Sequence, residues 1–324
     1  MKKQTKHRFS VVYEEYLRYA KKNLKNQSFT SAKYKFDGKI LPFFKDMYLE
    51  DITTQTIYDW EDYILSFKFS NNHNRNLYYV LSAFFEFCKK FYNFDKTILS
   101  NVGCFKKKYE RKKFDFYNLD EFNQFIKHVD NIIYKQFFYL MFYTGTRPGE
   151  AMALTFNDIE KGYINITKTI NSHNHREIGT PKTYSSIRKI AIDKVLEKDL
   201  RKLKDYYYEQ YNYFNDDFFL FGGLKPLSPT SINRYKKEAC KKANIRSITL
   251  HQFRHSHATL LLQKGMLINE VSKRLGHNNV STTLDTYTHT DLAQEKRVID
   301  TLNSIRSNFF TSAKYKFRSF IKRQ

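Results

Sequence analysis

Apolar side chains recur at helical spacing along the first 93 residues. Phe9, Val12, Tyr13, Tyr16, Leu17 and Ala20 fall on one helical face. Ile57, Trp60, Ile64 and Phe67 mark a second stripe, with Thr53 placed to cap its start. Leu77, Val80, Leu81, Phe84, Phe85, Cys88 and Phe91 mark a third. Such stripes stabilise helices by burying one face, so residues 1–93 are expected to form a helical domain. Core packing accounts for nearly all of these aromatics. Between the stripes lie Lys21, Lys22, Lys25, Lys33, Lys35 and Lys39, a set suited to an anionic partner. Periodicity fades over residues 94–113, which read as a linker.

The pattern resumes in a second domain, residues 114–309. Leu119, Phe122, Phe125 and Ile126 predict a helix capped by Asn118. The apolar run Ile132 to Tyr143 predicts another, stopped by Gly145, and Pro148 opens the next. The period then changes. Tyr163, Ile164 and Ile166, and later the partly alternating Arg188-Lys189-Ile190-Ala191-Ile192, predict a small antiparallel sheet within residues 162–192. Helices resume at Asp193. The expected fold class is mainly α with a small antiparallel β-sheet, closed by a basic tail over residues 310–324. One oddity stands outside this pattern: FTSAKYKF occurs at Phe29 to Phe36 and again at Phe310 to Phe317. Two copies so far apart cannot stack as a solenoid.

Composition narrows the partner. The 324 residues hold 56 Lys and Arg against 33 Asp and Glu, a formal net charge of +23. An excess of that size points to a polyanion, and DNA or RNA is the first choice. AT-rich coding also favours Lys, Asn, Tyr and Phe, so charge alone assigns no chemistry. The basic run Lys106, Lys107, Lys108, Arg111, Lys112 and Lys113, broken by Glu110, reads as a strap along DNA. No apolar run reaches the roughly 18 residues of a membrane span, and the basic N-terminus leads into no apolar segment. A cytoplasmic protein is expected. Cys88, Cys104 and Cys240 are odd in number and widely spaced, which argues against disulfides and a structural zinc site.

Phosphate-binding loops of the GxxxxGK[ST] and GxGxxG types, the HExxH motif and a clustered acidic metal site are all missing from the sequence. Cleavage or joining of nucleic acid would then proceed without ATP and without metal, so no cofactor is expected. What remains is a set of basic residues and a tyrosine. Arg147 sits between a helix stop at Gly145 and a helix start at Pro148, with Glu150 one turn on to orient it. His251 and Arg254, three apart on a helix ending near Gly265, project from one side. His255 and His257 could suggest a metal pair, but a helix separates their directions, and packing or hydrogen bonding is expected of them. Leu275-Gly276-His277 ends a further helix. Ser281 or Thr282 then caps the helix that presents Tyr287, ten residues after His277.

Arg147 in TGTRPGE, the pair His251 and Arg254, His277 in LGH and Tyr287 in TTLDTYTH resemble, in order and spacing, the tyrosine recombinase family, also called phage integrases. The ILPFF and DITTQTIYDW phrases resemble that family's core-binding domain. The family also uses a β-hairpin lysine, which makes Lys182 in GTPKTYSSIRKIAI the candidate, ahead of Lys168 and Lys189. The resemblance implies catalysis by Arg147, Lys182, His251, Arg254, His277 and the nucleophile Tyr287. It implies a 3′-phosphotyrosine intermediate, four protomers on two DNA sites, and accessory DNA-bending or directionality factors. Many members of that family carry a separate arm-binding domain before the core-binding domain; only a few residues precede the first helix in this sequence, so binding to distal arm sites is left open. A type IB topoisomerase shares the nucleophile chemistry and is the nearest alternative. A non-catalytic DNA-binding protein is the alternative of another class, and a metal-dependent nuclease using His255 and His257 is a distant third.

Overall fold

The computed structural model describes residues 6–101, 115–170, 178–181 and 184–277. The chain divides into two compact units, residues 1–112 and 113–324.

Six α-helices are described in the first unit: α1 (Phe9–Asn23), α2 (Asn26–Lys35), α3 (Leu41–Phe44), α4 (Thr54–Ser66), α5 (Asn71–Tyr92) and α6 (Thr97–Asn101). Their ends follow local chemistry. The Thr53 hydroxyl accepts from the Thr56 amide to open α4, and Ser70 does the same for α5 through His73. Asn93, in the left-handed region at φ 52°, stops α5. Phe9, Phe36, Phe44, Trp60 and Phe84 are fully or almost fully buried between the helices. Tyr13 lies parallel on Phe36 with centroids 4.1 Å apart, and its hydroxyl donates to Asp37. Each such aromatic contributes about 1.5–3 kcal/mol by leaving water.

Within this unit the first FTSAKYKF copy spans most of α2, with Phe36 just past its end as buried anchor and Tyr34 exposed. The second copy lies outside the described residues. Two expectations shift. Phe67 and Phe91, counted on buried stripes, are both exposed: Phe67 is the cap residue just past the end of α4, and Phe91 falls at the outer edge of its helical face. Residues 94–101, read as the start of a linker, fold onto the helical unit. Asp95 accepts from Thr97 to open α6, and Leu99 enters the core.

The second unit contains α7 (Leu119–Lys127), α8 (Ile132–Thr144), α9 (Pro148–Ala153), α10 (Lys194–Gln210), α11 (Pro229–Ala243), α12 (Leu250–Gln263) and α13 (Ile268–Leu275). Helix α8 is apolar almost all round, as a central helix must be. It packs against α7, α9, α10 and α12. Phe122 of α7 stacks on Phe142 of α8 at 3.8 Å, and Phe138 of α8 on Phe253 of α12 at 5.4 Å.

Strands β1 (Ile159–Glu160), β2 (Tyr163–Ile166) and β5 (Arg188–Ala191) form an antiparallel sheet in the order β1-β2-β5, with Ile164 opposite Ile190 and Ile166 opposite Arg188. The single sheet expected over residues 162–192 is in fact two. Strands β3 (Thr169–Ile170) and β4 (Ile178–Gly179) pair separately. The strand leaves the first sheet at Lys168, whose ammonium is tied to Asp158 at 2.9 Å and to the Thr155 hydroxyl at 3.0 Å. Thr169 and Ile170 then pack on Gly149 so closely that a Cβ there would meet the Thr169 hydroxyl at 2.7 Å. Among the described residues no helix is long and apolar enough to cross a membrane.

Candidate active site

Three chain reversals meet at the end of α8. The first is the turn Gly145-Thr146-Arg147. Gly145 takes φ 66°, and a Cβ on it would meet His257 Cδ2 at 2.6 Å and Leu275 Cδ2 at 2.8 Å. Both the conformation and the space therefore require glycine. Arg147 precedes a proline, which favours the extended backbone it adopts (ψ 148°) and turns its side chain out of the helix.

Glu150, one turn into α9, is 2% exposed and holds Arg147 twice. Its carboxylate accepts from the Arg147 amide at 2.8 Å and from Nη1 at 2.7 Å. The Arg147 Nη2 donates to the carbonyl of Gly276 at 3.2 Å. Burial alone would raise the Glu150 pKa, but the forks of Arg188 and then Arg147 outweigh it and hold the group below the usual carboxylate range. One buried anion thus faces two guanidinium cations, and the site keeps an excess positive charge.

The second reversal is the start of α12. Thr249 caps it through the Gln252 amide, and the buried ammonium of Lys236 on α11 holds the preceding Ile248 carbonyl. This fixes the helix that carries His251 and Arg254. Arg254 is 2% exposed and donates from Nη1 to Gly145 O at 2.8 Å and from Nη2 to Leu275 O at 2.7 Å. Both arginines therefore hang from main-chain carbonyls of the same two turns, residues 145 and 275–276. The His251 ring meets that of His255 edge-on at 5.0 Å.

The third reversal ends α13. Gly276 takes φ 70° and His277 follows, its amide donating to Ser272 O. Loss of water first, then the charges of Arg254 and Arg147, push the His277 pKa down to about 4. The same causes in the same order lower that of His251. Both rings are neutral at pH 7, so one can accept a proton and the other can donate a ring N–H without adding charge.

His257 is held apart from this group. It is buried, its Nδ1–H donates to Phe142 O at 2.9 Å, and its Nε2 accepts from Arg274 Nε at 3.0 Å. That matches the hydrogen-bonding role expected of it. Among the described residues no group of three His, Cys, Asp or Glu side chains is arranged to hold a metal.

Arg147, His251, Arg254 and His277, named from the sequence, are thus brought together. Lys182 and Tyr287 lie outside the described residues, as do Lys106, Lys107, Lys108, Arg111, Lys112 and Lys113. The rivals of Lys182 are engaged elsewhere: Lys168 with Asp158, and Lys189 with Glu160 and the Tyr163 ring. Sequence reasoning missed Arg188 and Arg274. Arg188 forks onto Glu150, and Arg274 donates to Ala191 O and Tyr143 O besides His257. The signal for Arg188 was present. It alternates with Ile190 in a strand, so it shares the inward face of that isoleucine.

Comparison with known proteins agrees with the geometry. Residues 113–294 match the phage integrase family, and residues 8–65 match the phage integrase N-terminal SAM-like domain. The ICEBs1 integrase of Bacillus subtilis is 29% identical over 314 residues, covering 92% of this chain and 83% of that protein. The integrase of Staphylococcus phage L54a is 28% identical over 252 residues, covering 68% of this chain and 70% of its own length. The fold is similar to the Tn1549 transposon integrase in complex with a circular intermediate DNA, with TM-score 0.75, 17% identity, and 91% and 99% of the two chains covered. It is also similar to a lambda integrase dimer bound to a COC′ core site, with TM-score 0.67, 18% identity, and 87% and 97% covered. With the arginine, histidine and glycine turns assembled as described, the chain belongs to the phage integrase family of tyrosine recombinases.

Proposed function

We propose that this recombinase acts as the integrase of a mobile element, cutting and rejoining double-stranded DNA through a 3′-phosphotyrosine link on Tyr287. One observation carries the reading: Arg147 and Arg254 hang from adjacent carbonyls at the turn that presents His277. A phosphodiester repels an attacking anion. Two planar guanidinium groups can fork onto its non-bridging oxygens and neutralise charge that grows in the transition state. Glu150 removes only part of that positive charge. His277, kept neutral, donates a hydrogen bond to the phosphate. His251, also neutral, accepts the Tyr287 phenolic proton, which is otherwise held with a pKa near 10. Lys182 gives its proton to the departing 5′ oxygen.

The bond energy stays in the tyrosyl ester. A 5′ hydroxyl from a second duplex can therefore attack it and rejoin strands in a new pairing, with no nucleotide or metal cofactor. Exchange of both strand pairs calls for four protomers on two sites, aided by accessory DNA-bending or directionality factors, in the cytoplasm. The Tn1549 and lambda integrases named above were seen on DNA, which supports DNA as the partner. The basic run from Lys106 to Lys113 would follow the backbone. The test is strand exchange between two duplexes that carry the element's own paired core sites. Recombinant products support the reading. Relaxation of one supercoiled duplex without exchange would favour a topoisomerase.

A further inference from the structure

Arg188 is the most heavily committed side chain near the site, and the reaction as described gives it no task. Its side chain is 8% exposed. Nη1 and Nη2 fork onto the two Glu150 oxygens at 3.1 and 2.9 Å. Nε donates to Arg274 O at 2.9 Å, and Nη1 also donates to Ser186 O at 3.0 Å. Four of the five guanidinium N–H directions are thereby used inside the protein, so Arg188 is not built to hold a phosphate. Its aliphatic stem is equally constrained. A Cβ on Gly276 would meet Arg188 Cδ at 3.0 Å and Ser185 O at 2.9 Å.

These bonds join the parts that set the two named arginines. Glu150 grips Arg147 through its amide and its Nη1. Ser186, whose carbonyl Arg188 holds, turns its hydroxyl to Arg147 Nη1 at 3.4 Å. Arg274 O lies one residue before Leu275 O, which accepts from Arg254, and two before Gly276 O, which accepts from Arg147. We infer that Arg188 is a positioning residue that sets the Arg147 guanidinium against the scissile phosphate, by fixing both Glu150 and the Arg274-to-His277 turn. A lysine could keep the charge but could not fork onto Glu150 and reach Arg274 O together.

This inference rests on the phosphate-clamp reading of Arg147 and is tested against wild-type protein that cleaves. Arg188→Lys and Arg188→Gln are compared with wild type on a nicked suicide duplex at saturating protein. Single-turnover cleavage and DNA affinity are recorded. A parallel duplex carries an uncharged methylphosphonate at the scissile position. An arginine clamp has less charge to neutralise on that group, whereas a general loss of structure would slow both substrates alike.

The expected result for Arg188→Lys is DNA binding within threefold of wild type and cleavage slowed by about 100-fold, the effect of misplacing a catalytic group by about 1 Å. The deficit should shrink at least tenfold on the methylphosphonate. Cleavage within threefold of wild type, or an equal deficit on both substrates, overturns the inference. If Arg188→Lys does not fold, Arg188→Gln, which leaves Glu150 paired with Arg147, decides by the same two criteria. Absence of any adduct in wild type would instead overturn the reading of the site itself.

Discussion

His257 should make the catalytic unit lose stability in mild acid. The ring is 3% exposed, with Phe142 O and Arg274 Nε on its two nitrogens. Burial first, and the Arg274 charge second, push its pKa down to about 3 from the ordinary 6.5. Below pH 6.5 the unfolded chain therefore takes up a proton that the folded chain refuses. Stability must fall as pH falls, over the window from 6.5 down to about 3. Between pH 7.5 and 5 this one residue removes about 2 kcal/mol, from 1.36 kcal/mol per pH unit over the 1.5 units below 6.5.

The perturbation is His257→Gln, which can still donate to Phe142 O and accept from Arg274 but does not titrate. Urea unfolding followed by far-ultraviolet circular dichroism is measured from pH 5 to 7.5 for both proteins. Trp60, the single tryptophan, lies in the other unit, so its fluorescence transition serves as control. The variant should lose about 2 kcal/mol less than wild type between pH 7.5 and 5, with the Trp60 transition unchanged by the substitution. Identical pH slopes would refute the assignment of a neutral, buried His257.

Three further outcomes follow. Arg147→Lys and Arg254→Lys should bind DNA but cleave about 100- to 1,000-fold more slowly in single-turnover assays. Arg254→Lys should also cost about 1–3 kcal/mol in urea unfolding, because Gly145 O and Leu275 O lose a buried donor. Gly145→Ala should destabilise by about 2–4 kcal/mol in the same assay, since the new Cβ would lie 2.6 Å from His257 Cδ2 in a left-handed backbone. Neutralising Lys106, Lys107 and Lys108 together should flatten the salt dependence of DNA affinity by up to about 0.9 per lost phosphate contact; an unchanged slope would mean that the run is only solvated.

The elements were legible where one residue type decides the backbone. Thr53, Asn118, Gly145, Pro148 and Gly276 end or begin helices where their chemistry requires. The four candidate residues Arg147, His251, Arg254 and His277, which the fold brings together, could be picked out because their order and spacing form a motif. What escaped was the network behind them. Nothing local in the sequence reveals that Arg274 spans to Tyr143, Ala191 and His257, since those contacts join elements 17 to 131 positions apart. The split into two sheets was equally hidden, because it depends on Lys168 finding Asp158 and on the closeness of Gly149 to β3. Phe91 failed for a simpler reason: helical spacing places a residue near an apolar face but does not say where that face ends.

The central claim is that Tyr287 is the nucleophile in a site assembled around Arg147, His251, Arg254 and His277. Wild type and Tyr287→Phe, which differ by one hydroxyl, are incubated with a nicked suicide duplex of the element's core site, and the DNA-linked peptide is mapped by mass spectrometry. Wild type should give a covalent adduct on the peptide containing Tyr287. Tyr287→Phe should bind the duplex with unchanged affinity and give no adduct. A covalent adduct persisting in Tyr287→Phe would contradict the account, and with it the alignment of the C-terminal motif.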